Sequence, residues 1–570
     1  MTGRLVVIAC CLAAGAAWAE ERFAFVVPGD DATSTATDFS GLSPQPAGAD
    51  GFVTIRDGHF ATRSGRLRIW GVNTCFGASF PSHEEAEKTA AHLAKLGING
   101  VRMHHHDTGA RWFRGVMGVP VNGHRGLDPA ALERQDYFLD QLHRHGIYAN
   151  LNLHVSRTFD EQDGFDVTGL PRDCRYSKYV LYFEPRMRSL FKEFCRDYLT
   201  HVNPYRRLRR VDDPGVAMIE ITNENSFSTR GPALAASLPE PYRGEFRKQW
   251  NAWLRKHYAT TDALRVAWKD TGEPLGDDLA DVGDFRTGLG PWVVHQEQQA
   301  PVEVRFNQPG PRADLKAVKL DILRTGALWH QELVRKDLSL TKGRRYTLSF
   351  RVKADKPRSV YVDVSNQGPD NWRALGFGES VPVTTEWTEV RRVFHATETV
   401  DRNVRLCFKF GDSDVDLYLA DVHLRAGAAM TGVPDGQTLE EGNVDIPSSD
   451  WSDGATRDVG RFMVDVEKDF INEITAFLKN DLGVKVPVTA SQITYHGAPI
   501  VAGTCDYADV HAYWEHPRFP GRPWDRKNWF IPNTPMERNP GIDSLLTRAP
   551  WRLLDRPFTL SEWNIPDPND

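Results

Sequence analysis

Three stretches of sequence decide the fold class: INGVRM at 98–103, PAALERQDYFLDQLHRH at 129–145 and IYANLNL at 147–153. The first and third are short apolar runs, whereas the second has the apolar spacing of a helix that begins at a proline and ends before Gly146. The same order recurs around them, with apolar runs at 69–73 and 216–221 and helical patterns at 82–96 and 185–200. This repetition predicts a parallel sheet covered by helices, and its regularity favours a barrel.

A second pattern interrupts the first. From about 282 to 426 the chain reads as alternating strands separated by turn residues, for example at 346–352, 404–410 and 417–424, as in a β-sandwich. A helical pattern at 459–480 and apolar runs at 486–490, 509–511 and 558–560 then resume the α/β order. We therefore predict a signal peptide at 1–19, a first part of a (β/α)8 TIM barrel at 20–277, an inserted sandwich at 278–428 and a second part of the barrel at 429–570.

Composition and the N-terminal sequence limit the classes of protein to which this chain can belong. The 69 Lys and Arg residues against 76 Asp and Glu leave no basic excess for tracking a phosphate backbone, so we expect no nucleic-acid partner. Arg4, the apolar stretch Leu5–Ala17 and the small-x-small site Ala17-Trp18-Ala19 predict a secretory signal peptide. A lipoprotein signal at Cys10 is the alternative. The chain holds no later run of 18 apolar residues, so we expect no membrane span and a secreted or periplasmic location.

The cysteines and histidines give no clear ligand set. Five cysteines follow the signal peptide without a C-x-x-C pair, and Cys174 and Cys195 are either a disulfide or buried free thiols. The run His104-His105-His106-Asp107 invites a metal interpretation, but neighbouring side chains on an extended chain point to opposite sides. We favour substrate contact or loop packing for this run, and we predict neither a metal nor a cofactor at the active site.

Two carboxylates end apolar strands. AMIEITNEN at 217–225 places Glu224 after a strand, and FTLSEWN at 558–564 places Glu562 at the end of another. Active sites of barrels lie at the carboxyl ends of the strands. Hydrolysis of a glycosidic bond needs one carboxyl group to protonate the leaving oxygen and a second to attack or to activate water. Either motif alone is also explained by capping of the next helix, so it is the pair that indicates this chemistry.

With these residues in place, the α/β part resembles glycoside hydrolase clan A, and within it the family 5 (cellulase-like) enzymes. The resemblance is carried by Gly71-Val72-Asn73, Val101-Arg102, Leu153-His154, Asn223-Glu224, His511-Ala512-Tyr513-Trp514 and Glu562. It implies retaining hydrolysis of β-linked oligo- or polysaccharides through a covalent glycosyl-enzyme. It also implies that Glu224 is the general acid/base and Glu562 the nucleophile.

The resemblance further implies a set of substrate-binding residues: Arg102, His154, Asn223, His511, Tyr513, Trp514 and Trp563. Arg102 and Tyr513 would hydrogen-bond Glu562 and keep it ionised. Asn223 would contact the sugar 2-hydroxyl. His154 and His511 would bind sugar hydroxyls or tune the acid, and Trp514 and Trp563 would stack on sugar rings. A structural ion pair, a buried aromatic or a core histidine is the alternative at each corresponding position.

The inserted part resembles the jelly-roll carbohydrate-binding modules associated with xylanases and cellulases. The pattern lies at Trp329-His330-Gln331, at GRRYTLSFRVKA from 343 to 354, at Glu386-Trp387-Thr388 and at DLYLADV from 416 to 422. Trp329 and Trp372 would stack on glycan if the module binds one, and a purely structural module is the alternative. Some relatives of such modules hold a structural calcium ion, but this sequence offers no clear ligand set for one.

Two other functions stay open. The stretch 246–268 is also similar to clan A β-galactosidases, which implies an exo-acting enzyme on short oligosaccharides. A noncatalytic glycan-binding protein with a degenerate barrel is the alternative from another class. The sequence stops eight residues after Glu562, without the eighth strand of the family, so we expect a fragment whose barrel lacks its last unit.

Overall fold

The structure is a computed structural model that describes residues 28–108, 115–121, 124–169, 179–225, 227, 234, 237–269, 272–280, 285–368, 372–428, 432–447, 451–492, 498–522, 525–532, 534–536 and 545–564. The predicted signal peptide and Cys174 lie outside these residues. Within them, none of the helices has the length and apolar character needed to cross a membrane.

The first half of the chain alternates strands and helices. Its strands are β1 (Thr54–Arg56), β2 (His59–Thr62), β3 (Gly65–Arg66), β4 (Gly71–Cys75), β5 (Gly100–His104), β6 (Met117–Val121), β7 (His124–Leu127), β8 (Tyr148–Asn152), β9 (Val202–Asn203), β10 (Leu208–Arg209) and β11 (Val216–Glu220). Its helices are α1 (His83–Lys95), α2 (Pro129–Arg144), α3 (Pro185–Thr200), α4 (Tyr242–His257) and α5 (Thr261–Ala267).

Ten strands follow, and then the α/β order returns. The ten are β12 (Trp292–Gln296), β13 (Val302–Pro309), β14 (Lys316–Ile322), β15 (Gln331–Leu340), β16 (Arg345–Ala354), β17 (Arg358–Asn366), β18 (Ala374–Val383), β19 (Thr388–His395), β20 (Val400–Lys409) and β21 (Leu417–Ala426). The last elements are α6 (Asp453–Ala476), β22 (Val488–Thr489), α7 (Ala498–Ala502), β23 (Ala508–Tyr513), α8 (Leu545–Arg548) and β24 (Phe558–Asn564).

Local sequence explains where the helices begin. Ser82 and Glu85 form the predicted capping box at the start of α1, in which each side chain binds the backbone amide of the other. Asp128 caps α2 just before its first-turn proline, where the missing amide hydrogen costs nothing. These helices follow and precede strands that are almost wholly buried, since every residue of β5 and β11 is buried. Continuous burial is typical of a parallel strand covered on both faces.

The α/β part contains two parallel sheets. Five strands pair in the order β22-β11-β8-β5-β4, and β23 pairs with β24 in a separate two-stranded sheet. The Asn73 side chain of β4 donates to the Ser561 carbonyl of β24 across 3.1 Å. A cavity of about 420 Å³ is lined by residues of β4, β5, β8, β11 and β24. The predicted parallel α/β order is therefore present, but as two sheets rather than as a continuous eight-stranded barrel in the described residues.

The inserted part is a β-sandwich, as predicted. Two antiparallel five-stranded sheets, β12-β15-β20-β17-β18 and β13-β14-β21-β16-β19, enclose one apolar core. Alternating burial along β13 and β16 shows one face turned to the core and one to solvent. A separate core fills the α/β part, where Trp250 and Trp268 are fully buried, so the stretch with β-galactosidase similarity packs the interior here.

Cys195 is a buried free thiol on α3. Burial raises the pKa of this thiol, because a thiolate is poorly solvated in an apolar core. Of the two alternatives predicted for this residue, the structure has the free thiol.

Candidate functional site

The two predicted catalytic glutamates lie together at the carboxyl ends of β11 and β24. One carboxylate oxygen of Glu224, one of Glu562 and a ring nitrogen of His511 lie within 4.8 Å of one another. The Glu562 side chain is 9% exposed, whereas that of Glu224 is 41% exposed. Glu224 has a backbone φ of +50°, a left-handed conformation that costs free energy for a residue with a Cβ.

Arg102 on β5 is the centre of the hydrogen-bond network beneath this pair. Its guanidinium donates from Nη1 to Glu562 at 2.7 Å, and from Nε and Nη2 to Glu220 at 2.7 to 2.9 Å. Nη2 also donates to the Asn223 side-chain oxygen at 2.7 Å. A buried charge is costly unless it is paired and hydrogen-bonded, and Arg102 has both kinds of partner. The arginine thus fixes Glu562 and Asn223 relative to each other.

Three further side chains lie next to the Glu562 carboxylate. The Tyr513 hydroxyl donates to Oε2 of Glu562. Nε2 of His104 lies 3.3 Å from Oε1 of Glu562, and Nε2 of His511 lies 3.5 Å from the same oxygen. Burial, together with the charge of Arg102, lowers the pKa of His104, which is therefore neutral at neutral pH. An arginine and a tyrosine that both donate to one carboxylate stabilise its ionised form.

His511 connects the exposed glutamate to a buried acid. Its Nδ1 lies 2.8 Å from Oε1 of Glu224, and its Nε2 lies 2.9 Å from the Ser561 hydroxyl. The Ser561 hydroxyl in turn donates to Oδ2 of Asp509 at 2.6 Å. Burial and the nearby Glu220 carboxylate raise the pKa of Asp509 to about 6. A continuous hydrogen-bonded chain thus joins Asp509 to Glu224.

Sequence reasoning missed four residues of this network: His104, Glu220, Asp509 and Ser561. Glu220 had a visible signal, because it is the one charged residue in the apolar strand VAMIE at 216–220, and such a residue requires a buried partner. Asp509 offers a similar signal next to Val510 in β23. Ser561 has no such signal, since an isolated serine is compatible with many environments.

The remaining predicted site residues differ in how they are placed. His154 is fully buried, with Nδ1 3.7 Å from Asp107 and its ring against Phe191, so it presents no face to a substrate. Trp514 is 5% exposed and donates from its indole to the Thr534 carbonyl at 2.7 Å. Neither residue is placed here as a sugar contact. Trp563 is half-buried beside Glu562 and remains a candidate stacking surface.

The Glu224, His511 and Glu562 group is the one cluster of three metal-ligating residue types that the described part of the chain brings this close. Arg102 already neutralises Glu562 at 2.7 Å, and a guanidinium beside a carboxylate opposes the binding of a cation there. We therefore interpret the group as a pair of carboxylates bridged by a histidine.

A second candidate site lies on the outer face of the sandwich sheet that contains β15, β17 and β20. It is a cleft of about 530 Å³ with two exposed indoles in its lining, Trp329 and Trp372, which are 61% and 51% exposed. In the floor, Arg405 pairs with Glu332 at 3.0 Å, and its guanidinium lies 4.3 Å from the centre of the Trp372 ring. Exposed aromatic faces beside fixed polar groups suit the C–H faces and hydroxyls of a sugar chain.

The sandwich is similar to known domains. Residues 277–414 match the family described as carbohydrate binding domain. A solved structure described as "CBM4 structure and function" is 25% identical over 24% of this chain and 86% of that chain, with a TM-score of 0.21. The second N-terminal cellulose-binding domain of β-1,4-glucanase C from Cellulomonas fimi is 24% identical over 28% of this chain and 98% of that chain, with a TM-score of 0.23.

A third structure contains an enzyme. The endo-1,4-β-mannanase from Rhizomucor miehei is 19% identical over 30% of this chain and 48% of that chain, with a TM-score of 0.26. No curated protein matches the chain. The family match confirms the predicted carbohydrate-binding sandwich.

Proposed function

We propose that the chain is a retaining glycoside hydrolase for β-linked glycans, in which Glu562 is the nucleophile and Glu224 the general acid/base. The observation that carries this proposal is the approach of the two carboxylates to within 4.8 Å. Retaining enzymes hold their carboxyl groups about 5 to 5.5 Å apart, whereas inverting enzymes leave about 6.5 to 9.5 Å for a water molecule. The nearest oxygens of Glu224 and Glu562 lie within 4.8 Å of each other, which supports the retaining arrangement that we propose.

The environments of the two carboxylates fit different roles. Arg102 and Tyr513 both donate to Glu562, which fixes the direction in which its carboxylate attacks. In the first step Glu562 forms a bond to the anomeric carbon while Glu224 gives its proton to the leaving glycosidic oxygen. In the second step Glu224 takes a proton from water, and the resulting hydroxide displaces Glu562 from the sugar. The greater exposure of Glu224 gives it access to the leaving group and to water.

We propose that the sandwich cleft binds the same class of glycan. Trp329 and Trp372 would stack on sugar rings, while the Arg405–Glu332 pair offers fixed donors and acceptors to hydroxyls. The family match to residues 277–414 supports this assignment. The cleft would hold the polymer near the site without taking part in the chemistry.

The proposal also covers how the two parallel sheets are related. We infer that the two parallel sheets are parts of one (β/α) barrel, split at 277 and 429 by the sandwich. The contact from Asn73 to Ser561 supports it, because it joins the two sheets at the level of the site. Export through the predicted signal peptide would bring the protein to extracellular polysaccharide.

The test is release of reducing sugar from a panel of β-linked polysaccharides and aryl β-glycosides, by wild type and by Glu562→Ala. We expect release by wild type and a loss of roughly 10⁴-fold or more in the variant, as for other removed nucleophiles. Glycan binding without release from any substrate would instead support the noncatalytic binding protein. Release that survives Glu562→Ala would contradict the assigned nucleophile.

A further inference from the structure

The hydrogen bonds around His511 determine where its proton lies. The Ser561 hydroxyl has one proton and donates it to Asp509. Its oxygen can therefore only accept from Nε2 of His511, which lies 2.9 Å away. The Glu562 carboxylate, 3.5 Å from the same nitrogen, favours a proton there as well. A neutral imidazole with its proton on Nε2 has a bare lone pair on Nδ1.

That lone pair faces Oε1 of Glu224 at 2.8 Å. While the imidazole is neutral, a hydrogen bond across this distance places the proton on Glu224, whereas an imidazolium would donate from Nδ1 to an ionised Glu224. We propose that Asp509 and Ser561 are positioning residues that hold His511 in its Nε2–H form and thereby keep Glu224 protonated, ready to act as the acid. This role rests on the proposed glycosidase function, because it concerns the same Glu224.

The geometry around Asp509 supports an ionised acceptor at neutral pH. Oδ1 accepts from the Ser561 amide at 3.0 Å and from the Thr559 hydroxyl at 2.6 Å, while Oδ2 accepts from Ser561. Charged or titratable groups also face Asp509 from three strands: Glu220 on β11, Arg102 on β5, and His511 near the end of its own strand, with Tyr507 just before that strand. Burial and Glu220 raise the pKa of Asp509 to about 6, which still leaves it ionised at pH 7.

A neutral group at position 509 favours the ionised form of Glu224. An amide at this position donates to the Ser561 oxygen, and the hydroxyl can then donate to Nε2 of His511. The imidazole proton moves to Nδ1, from which it donates to the Glu224 carboxylate and stabilises its ionised form. The wild-type arrangement therefore favours the acid form of Glu224, and the neutral variant favours the base form.

The experiment compares Asp509→Asn with wild type by two readouts. The first is the ¹⁵N NMR spectrum of histidine-labelled full chain, with the His511 signals assigned by their absence in His511→Asn. We expect the Nε2–H form in wild type and the Nδ1–H form in Asp509→Asn. The second is the pH profile of kcat/KM on the aryl β-glycoside with the poorest leaving group that wild type cleaves. We expect the basic limb to move down by about one pH unit, which corresponds to a tenfold change in the protonation equilibrium.

Matched variants separate this role from a structural one. Ser561→Ala interrupts the hydrogen-bonded series between Asp509 and His511 and is expected to move the basic limb of the pH profile in the same direction. Ser561→Thr keeps the hydroxyl and is expected to restore the wild-type position of that limb. An Nδ1–H form or a doubly protonated imidazolium in wild type at pH 7, or an unmoved limb in Asp509→Asn, would overturn the proposal. If wild type cleaves no glycoside, the proposed function fails, and the tautomer in the two proteins still decides the role of Asp509.

Discussion

The two parts of the molecule place their charges differently. In the α/β part, Arg102, Glu220 and Asp509 are buried in the interior, next to the two glutamates. In the sandwich, the Arg405–Glu332 pair is buried to a similar degree, but it forms the floor of a cleft that is lined by the exposed indoles of Trp329 and Trp372. Fixing a reactive carboxylate requires charges held away from water, whereas binding a sugar chain requires an accessible surface. The difference supports the proposed chemistry in the α/β part and the proposed glycan binding in the sandwich.

The largest effect is expected from removing the proposed acid/base in the α/β part. Glu224→Ala is expected to lower kcat about 10³-fold on substrates with poor leaving groups, within the usual range for general acid–base catalysis. On an activated aryl β-glycoside, whose leaving group departs without protonation, azide should replace the water that Glu224 activates, restore turnover and give a β-glycosyl azide. Retention of glycan binding, measured by affinity electrophoresis, is the control for the sandwich. A variant that azide does not rescue, with its fold intact, would contradict the assignment.

A second prediction compares a buried acid with an exposed one. Glu220→Gln leaves Arg102 without its bidentate partner and is expected to lower the free energy of unfolding by about 3 kcal/mol. Glu273→Gln removes the partner of Arg344 in an exposed pair and is expected to cost less than about 1 kcal/mol. Urea unfolding of both variants measures the difference. Equal losses of free energy would mean that the buried network stabilises the fold no more than the exposed ion pair does.

The third prediction concerns the cleft. Trp329→Ala together with Trp372→Ala is expected to weaken binding of a soluble β-glucan or mannan about tenfold, from the loss of two stacking surfaces. The value of kcat/KM on a small aryl glycoside should not change, because that substrate does not reach the cleft. Trp70→Ala, at another exposed indole, is the matched control. Unchanged affinity in the double variant would remove the cleft as the binding surface.

The smallest expected effect is a difference in acid sensitivity. Burial lowers the pKa of His143 to about 4, so the α/β part loses stability as pH falls from about 6.5, the usual value in the unfolded chain, toward 4. His423 in the sandwich has the opposite sign, because its hydrogen bond to Asp278 raises its pKa. That contribution is full below about pH 6.5 and is lost as pH rises through the raised pKa of His423.

Hydrogen exchange at pH 7.5 and pH 5, corrected for the intrinsic rate, measures this difference peptide by peptide. Peptides around His143 should lose protection at pH 5, whereas those around His423 should not. A uniform loss across both parts would show that these two histidines do not control the response to acid.

The sequence made the elements and the two glutamates predictable, because period and position along the chain are local properties. The strand–helix alternation, the capping box at Ser82 and the sandwich all follow from residue order. The interior network was less predictable, since Glu220 and Asp509 contact Arg102 and Ser561 across long separations in the sequence. His154 matches the motif of the family, but its side chain is fully buried beside Asp107, which the residue order alone does not reveal.

The central claim is that Glu562 forms a covalent bond to the sugar. A 2-deoxy-2-fluoro β-glycoside with an activated leaving group, matched to the sugar that wild type cleaves, should trap that intermediate because the fluorine slows its hydrolysis. Peptide mass spectrometry is expected to find one fluoroglycosyl group on the peptide containing Glu562, and none in Glu562→Gln. Inactivation with the label on another residue, or turnover of the fluoroglycoside with inversion at the anomeric carbon, would contradict the account.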